Sequence, residues 1–134
     1  GVPAAMDLPT FIDRHLLHSG QQVWPAYEDD RLVGFICLED VVGTDQDARR
    51  ERSVGDVMRP VRSMRCLDAD AGARRAMQDL ASADVEPVPV MRGERLVGFL
   101  SQRDIMRWLA LHDVDGDSPT ASAAAAGAPT RTAG

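Results

Sequence analysis

The spacing of apolar side chains in the first part of the chain predicts one helix followed by two short strands. Apolar residues recur at helical spacing through residues 8–18, which indicates a helix. Two apolar runs follow, at residues 23–27 and 32–37, and the polar residues 29–30 between them are typical of a tight turn. Because Pro25 cannot donate a ladder hydrogen bond, we expect the first strand to be an edge strand or to have an interrupted ladder.

The second part of the chain predicts the same order of elements. Small and apolar residues give residues 73–81 one helical face, and residues 85–91 form the next apolar run. Residues 92–94 predict a turn, residues 96–100 a partner strand, and residues 102–112 a closing helix. The chain therefore contains two copies of a helix-strand-strand-helix unit.

An internal sequence repeat supports the prediction of two similar units. When the sequence is shifted by 64 residues without a gap, residues 30–41 lie over residues 94–105, and Pro25 lies over Pro89. The match includes the five consecutive identities Arg-Leu-Val-Gly-Phe, which begin at Arg31 in the first copy. A repeat of this length indicates a duplicated structural unit.

The copies differ at their beginnings. Residues 53–61 form an extra segment that opens the second copy, and its counterpart in the first copy would lie upstream of residue 1. We therefore expect a truncated first repeat at 1–48 and a second repeat at 49–113, together one compact pair. Residues 114–134 are rich in Ala, Ser, Thr, Gly and Pro, which predicts a flexible tail.

Composition narrows the function classes. Apolar residues make up 44% of the 134 residues, and the net charge of −6 disfavours general binding to nucleic acid or anionic lipid. No apolar run approaches the roughly 18 residues of a membrane span, so we expect no membrane insertion of this segment. The two cysteines, Cys37 and Cys66, favour a reducing, cytoplasmic compartment, although a disulfide between them is left open.

The order of these motifs resembles the CBS repeat, and the tandem copies resemble the CBS pair, or Bateman module. The resemblance rests on residues 88–90, residues 95–104, their degenerate first-copy match and residues 53–60, and it covers about residues 1–113. It implies an α+β fold of two βαββα-type repeats related by a pseudo-two-fold axis. It also implies a regulatory module rather than an enzyme.

A finer resemblance concerns the parent protein. The first copy, from residues 8–17 through residues 40–41, looks like the first repeat of CBS pairs attached to site-2-protease-type membrane zinc metalloproteases. The His-Glu-x-x-His motif of such proteases does not occur in this sequence, so any protease chemistry would belong to other parts of the parent protein.

The CBS resemblance names a candidate ligand site in the second repeat. It implies that Ser101 and Asp104 hold ribose hydroxyls and that Val88 and Pro89 lie near the base. A carboxylate can accept from two vicinal hydroxyls, and a serine hydroxyl both donates and accepts. The same Ser-x-x-Asp spacing is also that of a helix capping box, and the two roles can coexist.

Further candidate residues are arginines that could bind a phosphate and the equivalent pair in the first repeat. Arg103, Arg59 and Arg62 are candidates to pair with a phosphate, and the helix after Ser101 would offer backbone N–H groups. In the first repeat Asp40 takes the place of Asp104, but Cys37 replaces the hydroxyl residue. Because a thiol is a weak hydrogen-bonding group, we expect the first site to be the poorer one.

The expected ligand is AMP, ADP, ATP or S-adenosylmethionine, acting as a regulatory ligand, and no cofactor is required. A homodimer formed through the CBS pairs is the expected assembly, and a ligand-free dimerisation module is the alternative function. No metal site is expected, because His15 and His18 lack further ligands at useful spacing. Residues 113–117 resemble a calcium loop only superficially, since the bidentate glutamate is missing.

Overall fold

The computed structural model describes residues 1–83 and 85–111. They divide into two compact units between Met64 and Arg65, and each unit has its own sheet. The mixed α+β class predicted from the sequence is confirmed. The expected tail and the calcium-like stretch lie outside the described residues.

The first unit contains a four-stranded sheet in the order β1-β2-β3-β4, in which β1 pairs in parallel with β2 and the other pairs are antiparallel. Its elements are β1 (Val2–Pro3), α1 (Leu8–Phe11), β2 (Val23–Glu28), β3 (Arg31–Cys37), α2 (Leu38–Gly43), α3 (Gln46–Arg49), α4 (Val54–Val57) and β4 (Arg59–Pro60). Strand β2 has neighbours on both sides only at Ala26 and Tyr27, whereas Val23 to Pro25 pair with β3 alone. Pro25 is tolerated there because β1 pairs only with Ala26 and Tyr27, beyond the proline.

The second unit contains a three-stranded sheet in the order β5-β6-β7, with β5 parallel to β6 and β7 antiparallel to it. Its elements are β5 (Leu67–Asp68), α5 (Ala73–Ala81), β6 (Val88–Arg92), β7 (Arg95–Leu100) and α6 (Gln102–Leu111). Strand β6 begins at Val88, three residues later than the apolar run predicted, because residues 85–87 form a bend.

The two hairpins share an irregularity that the repeat alone does not reveal. The register shifts between Ala26 and Tyr27 in β2, and it shifts between Val90 and Met91 at the equivalent place in β6. The first hairpin turns through Asp29 and Asp30, whose φ angles are 50° and 62°. Aspartate tolerates this left-handed conformation better than most residues, so the polar pair predicted as a turn suits its geometry.

The predicted helix at residues 8–18 is real but not uniform. After α1, residues Ile12–Leu16 form a π-helical turn, and the Leu17 N–H donates to the Ile12 carbonyl at 3.0 Å. This wide turn accommodates one extra residue. Leu8 and Ala73 open α1 and α5 and are 65 positions apart, whereas equivalent residues of the two hairpins are 64 positions apart.

Each unit has its own apolar core, which includes aromatic rings in the first unit and is aliphatic in the second. In the first unit Phe11 meets Trp24 edge-on, with ring centroids 5.0 Å apart. Other buried members of that core are Val2, Leu8, Ala26, Ile36, Val41 and Val54. The core of the second unit consists of Leu67, Ala69, Ala76, Leu80, Val88, Val90 and Leu100. The strands that lead into the two candidate sites therefore end in buried residues, Ile36 before Cys37 and Leu100 before Ser101.

Candidate functional site

In the first unit, Arg59 holds the carboxylates at the start of α2. Its Nε donates to Asp40 Oδ2 at 2.8 Å, and its Nη2 donates to Asp40 Oδ1 at 3.1 Å and to Glu39 Oε1 at 2.7 Å. The side chains of Arg59 and Asp40 are 31% and 27% exposed, so this forked ion pair is partly desolvated. Hydrogen bonding to Asp40 raises the pKa of Arg59, whose charge is therefore permanent.

The backbone brings Arg59 to this position. Strand β4 pairs antiparallel with β3, with Arg59 opposite Phe35 and Pro60 opposite Gly34. A Cβ on Gly34 would lie 2.5 Å from the Arg59 carbonyl oxygen and 2.7 Å from Met58 Sδ, so only glycine lets β4 approach so closely. The arginine and Asp40 are thus placed together by the sheet, although they lie far apart in sequence.

Cys37 lies at the N-cap of α2 but makes no side-chain capping bond. Its thiol is buried, and burial raises its pKa to about 12, while nearby Arg59 acts in the opposite direction. The residue is therefore a neutral thiol packed at the end of β3. It does not supply the hydroxyl that the equivalent position of the second repeat provides.

Ser101 and Asp104 meet at the junction of β7 and α6. The Ser101 hydroxyl donates to Asp104 Oδ2 at 2.8 Å, and the backbone N–H of Ser101 donates to the same oxygen at 3.2 Å. In return the N–H of Asp104 donates to Ser101 Oγ at 3.2 Å. This is the capping box allowed for by the sequence. Both residues are half-buried, so the pair is partly accessible.

The N-terminus of α6 also has an acidic partner that the sequence did not predict. Glu86 Oε1 accepts from the Gln102 N–H at 2.7 Å. Together with the Asp104 N–H, two backbone donors of the first turn are already hydrogen-bonded within the protein. A phosphate seeking the Gln102 N–H would have to displace a carboxylate of the same charge sign.

Val88 lines a cavity of about 250 Å³ in the second unit, together with Arg65, Cys66, Leu67, Arg75 and Asp79. Arg65 Nη1 donates to Ser82 Oγ at 2.7 Å, and Arg75 pairs with Asp79 at 3.2 Å. Neither arginine was predicted from the sequence, because Arg75 lies among charged residues of α5 that are typical of a solvated face and Arg65 belongs to no recognisable motif. Pro89 is buried and lies opposite Phe99.

The candidate residues therefore fall into separate groups. Cys37, Asp40 and Arg59 come together in the first unit, and Ser101 and Asp104 come together in the second. Arg62, on the 3₁₀ turn at Val61–Ser63, and Arg103, on α6, are exposed.

His15 and the helices show neither a metal site nor a membrane span within the described residues. His15 stacks on Phe11 with ring centroids 5.7 Å apart. Within residues 1–83 and 85–111, no three His, Cys, Asp or Glu side chains are grouped as metal ligands would be. Among the described helices, none has both the length and the apolar character needed to cross a membrane.

Comparisons with known proteins agree on the fold. The family model described as CBS domain matches residues 54–111. CBSX2 from Arabidopsis thaliana is 18% identical, with 82% of this chain and 84% of that chain covered and a TM-score of 0.64. CBSX2 in complex with AMP is 19% identical, with 82% and 86% covered and a TM-score of 0.66.

A third structure, Hypoxic Response Protein I with two coordinated zinc ions, is 25% identical, with 81% of this chain and 89% of that chain covered and a TM-score of 0.61. Among curated protein sequences, none matches this chain significantly. The family match and the solved structures together support a CBS domain pair, in which residues 54–111 carry the family match.

Proposed function

We propose that this chain is a regulatory module that binds an adenosine-type ligand at Ser101 and Asp104 and thereby controls an attached effector. The observation that carries the proposal is the paired hydroxyl and carboxylate at the start of α6. The bonds from Ser101 use Asp104 Oδ2, so a ribose hydroxyl approaching Oδ1 breaks none of them. The similarity to CBSX2, which has been solved with AMP, supports this choice of ligand class.

Val88 and Pro89 are the proposed neighbours of the base, and Arg103 is the proposed partner of any phosphate. AMP, ADP, ATP and S-adenosylmethionine are the candidate ligands. The ligand regulates only if it binds two arrangements of the module with different affinities. The proposed effector is a site-2-protease-type membrane metalloprotease, and the module would then be its cytoplasmic part. The domain limits 1–48 and 49–113 remain part of this proposal.

Thermal unfolding with each candidate ligand tests the proposal. At about 100 times the dissociation constant, a ligand adds roughly 2.7 kcal/mol of stability. Asp104→Ala should abolish the shift, but it also breaks a helix cap, which by itself costs about 1 kcal/mol. Asp7→Ala is the matched control, because Asp7 caps α1 by accepting from the Thr10 N–H at 2.8 Å.

The decisive quantity is the ligand-induced shift within each variant. Both alanine variants should unfold at lower temperature without ligand, and only Asp104→Ala should lose its response. A response that survives in Asp104→Ala would show that the site is misplaced. No response of the unmodified chain to any candidate would argue for the second function below.

The second candidate function is ligand-free dimerisation of the parent protein. Two apolar side chains of α6 favour it, because Met106 and Leu111 are 66% and 82% exposed. A second copy of this chain is the proposed partner. Sedimentation over a range of concentrations should show a monomer–dimer equilibrium that Met106→Gln weakens. A monomer at all concentrations would refute this alternative.

A further inference from the structure

A cavity of about 490 Å³ opens beside Asp40 in the first unit. Its walls include Asp40, Thr44, Asp45, Arg52 and Arg59. The volume lies within the range of about 300–1,000 Å³ that is usual for small-molecule sites. The first unit therefore has an open depression of small-molecule size beside Asp40, and the accessibility of the Asp40 carboxylate decides whether a nucleoside binds there.

Asp40 is not accessible in the way that Asp104 is. Both of its carboxylate oxygens accept from Arg59, whose guanidinium also bonds Glu39. The partners of Asp104 are the hydroxyl and N–H of Ser101, a neutral residue on its own turn. The two repeats thus present the same acidic residue in opposite states, one held by a cation and one held by a local cap.

The position of Arg59 depends on backbone as well as on charge. Strand β4 is hydrogen-bonded along β3. The preceding helix α4 is tied to the N-terminal segment, because the N–H groups of Val54 and Gly55 donate to Met6 and Ala4 at 2.8 Å each. Because the backbone of Arg59 is held in place, less conformational entropy is lost when its guanidinium forms the two hydrogen bonds to Asp40.

We propose that Arg59 is an internal counter-ion that occupies Asp40 and closes the first repeat to neutral ribose hydroxyls. Charge-assisted bonds from a guanidinium are roughly twice as strong as bonds from neutral donors. The 2′- and 3′-hydroxyls of a nucleoside therefore cannot displace Arg59 at equal geometry. This inference rests on the proposed function and adds that only the second repeat binds ligand, with Arg59 as the residue that sets the number of sites.

The test is calorimetric titration with adenosine, a probe without phosphate. The unmodified chain should bind one equivalent, and Asp104→Ala should remove it. Arg59→Gln should add a second equivalent with at least tenfold higher affinity at the first repeat than in the unmodified chain. That second equivalent should disappear in the double variant Arg59→Gln, Asp40→Asn. Arg31→Gln, which removes an exposed arginine from the start of β3, is the matched control and should leave one equivalent.

The outcomes separate this inference from the proposed function. If the unmodified chain binds nothing but Arg59→Gln gains an Asp40-dependent site, the role of Arg59 as counter-ion of Asp40 holds and the site at Ser101 and Asp104 is wrong. If Arg59→Gln gains no Asp40-dependent binding, the inference is overturned whatever the unmodified chain does. Should Arg59→Gln fail to fold, Arg59→Lys decides, because it keeps the cation but loses the fork, and it must gain weaker Asp40-dependent binding.

Discussion

Gly34 and Gly98 occupy equivalent places in the two hairpins, yet alanine should have opposite effects on stability at these two positions. At Gly34 the new methyl group would lie 2.5 Å from a backbone oxygen of β4, which cannot rotate away as a flexible side chain could. At Gly98 no atom of the described residues lies within 4 Å of the same methyl group. Neither glycine has a positive φ, so alanine suits both backbones.

The magnitudes follow from two opposing effects. Replacing glycine by alanine at a compatible position stabilises by about 0.4–1 kcal/mol, because the unfolded chain loses freedom. Overpacking against a fixed neighbour costs about 1–3 kcal/mol. Gly98→Ala should therefore gain up to about 1 kcal/mol, and Gly34→Ala should lose about 1–2 kcal/mol. The unfolded-state gain is common to both variants, so the expected gap between them is the overpacking cost, roughly 1–3 kcal/mol.

Urea denaturation of both variants measures this gap, with unchanged m-values as the sign that only native stability has changed. Because β4 carries Arg59, Gly34→Ala should also loosen the pair between Arg59 and Asp40. If the two variants shift the free energy of unfolding equally, or if Gly34→Ala is as stable as the unmodified chain, the pairing of β4 with β3 is not as close as described.

Three other measurements address a thiol, a carboxylate and the charge of the ligand. Burial raises the pKa of Cys37 to about 12, so at pH 8 iodoacetamide should leave it unmodified until the chain is unfolded, and rapid labelling of the native protein would contradict this. Hydrogen bonds from the backbone and side chain of Ser53 lower the pKa of Asp56 from its ordinary value of 3.8. The contribution of Asp56 to stability is therefore complete above pH 3.8 and is lost as the pH falls through the lowered pKa. Acid unfolding followed by circular dichroism should show a smaller loss of stability in Asp56→Asn than in the unmodified chain. Glu86→Gln removes the carboxylate that accepts from the Gln102 N–H, and it should strengthen AMP binding about two- to fivefold relative to adenosine binding. Equal gains in affinity for both ligands would show that Glu86 does not oppose phosphate.

What could be predicted from the sequence was local. The turn at residues 29–30 and the capping box of Ser101 and Asp104 depend on neighbours within a few positions, and both are confirmed. The order of elements in each half is also confirmed, because apolar spacing reports which face of an element is buried.

The partner of Arg59 could not be predicted in this way. Arg59 and Asp40 are 19 positions apart, and they meet only because β4 joins β3 in one particular register. From the sequence alone Arg59 is a candidate phosphate ligand, whereas in the structure it pairs with a carboxylate. Glu86 was missed for the same reason, because its bond to Gln102 spans 16 positions across a bend.

The wide helical turn at Ile12–Leu16 shows how the two halves have diverged. A residue gained in a regular α-helix rotates every later side chain by about 100° and would carry the following strand out of register. Here the gain is absorbed within one turn, so Phe11 before it and Trp24 after it are both buried, as are Ala76 and Val88 in the other half. A duplicated chain can thus change the length of one copy while conserving its core, and a faithful alignment of the two halves requires a one-residue gap between helix and strand.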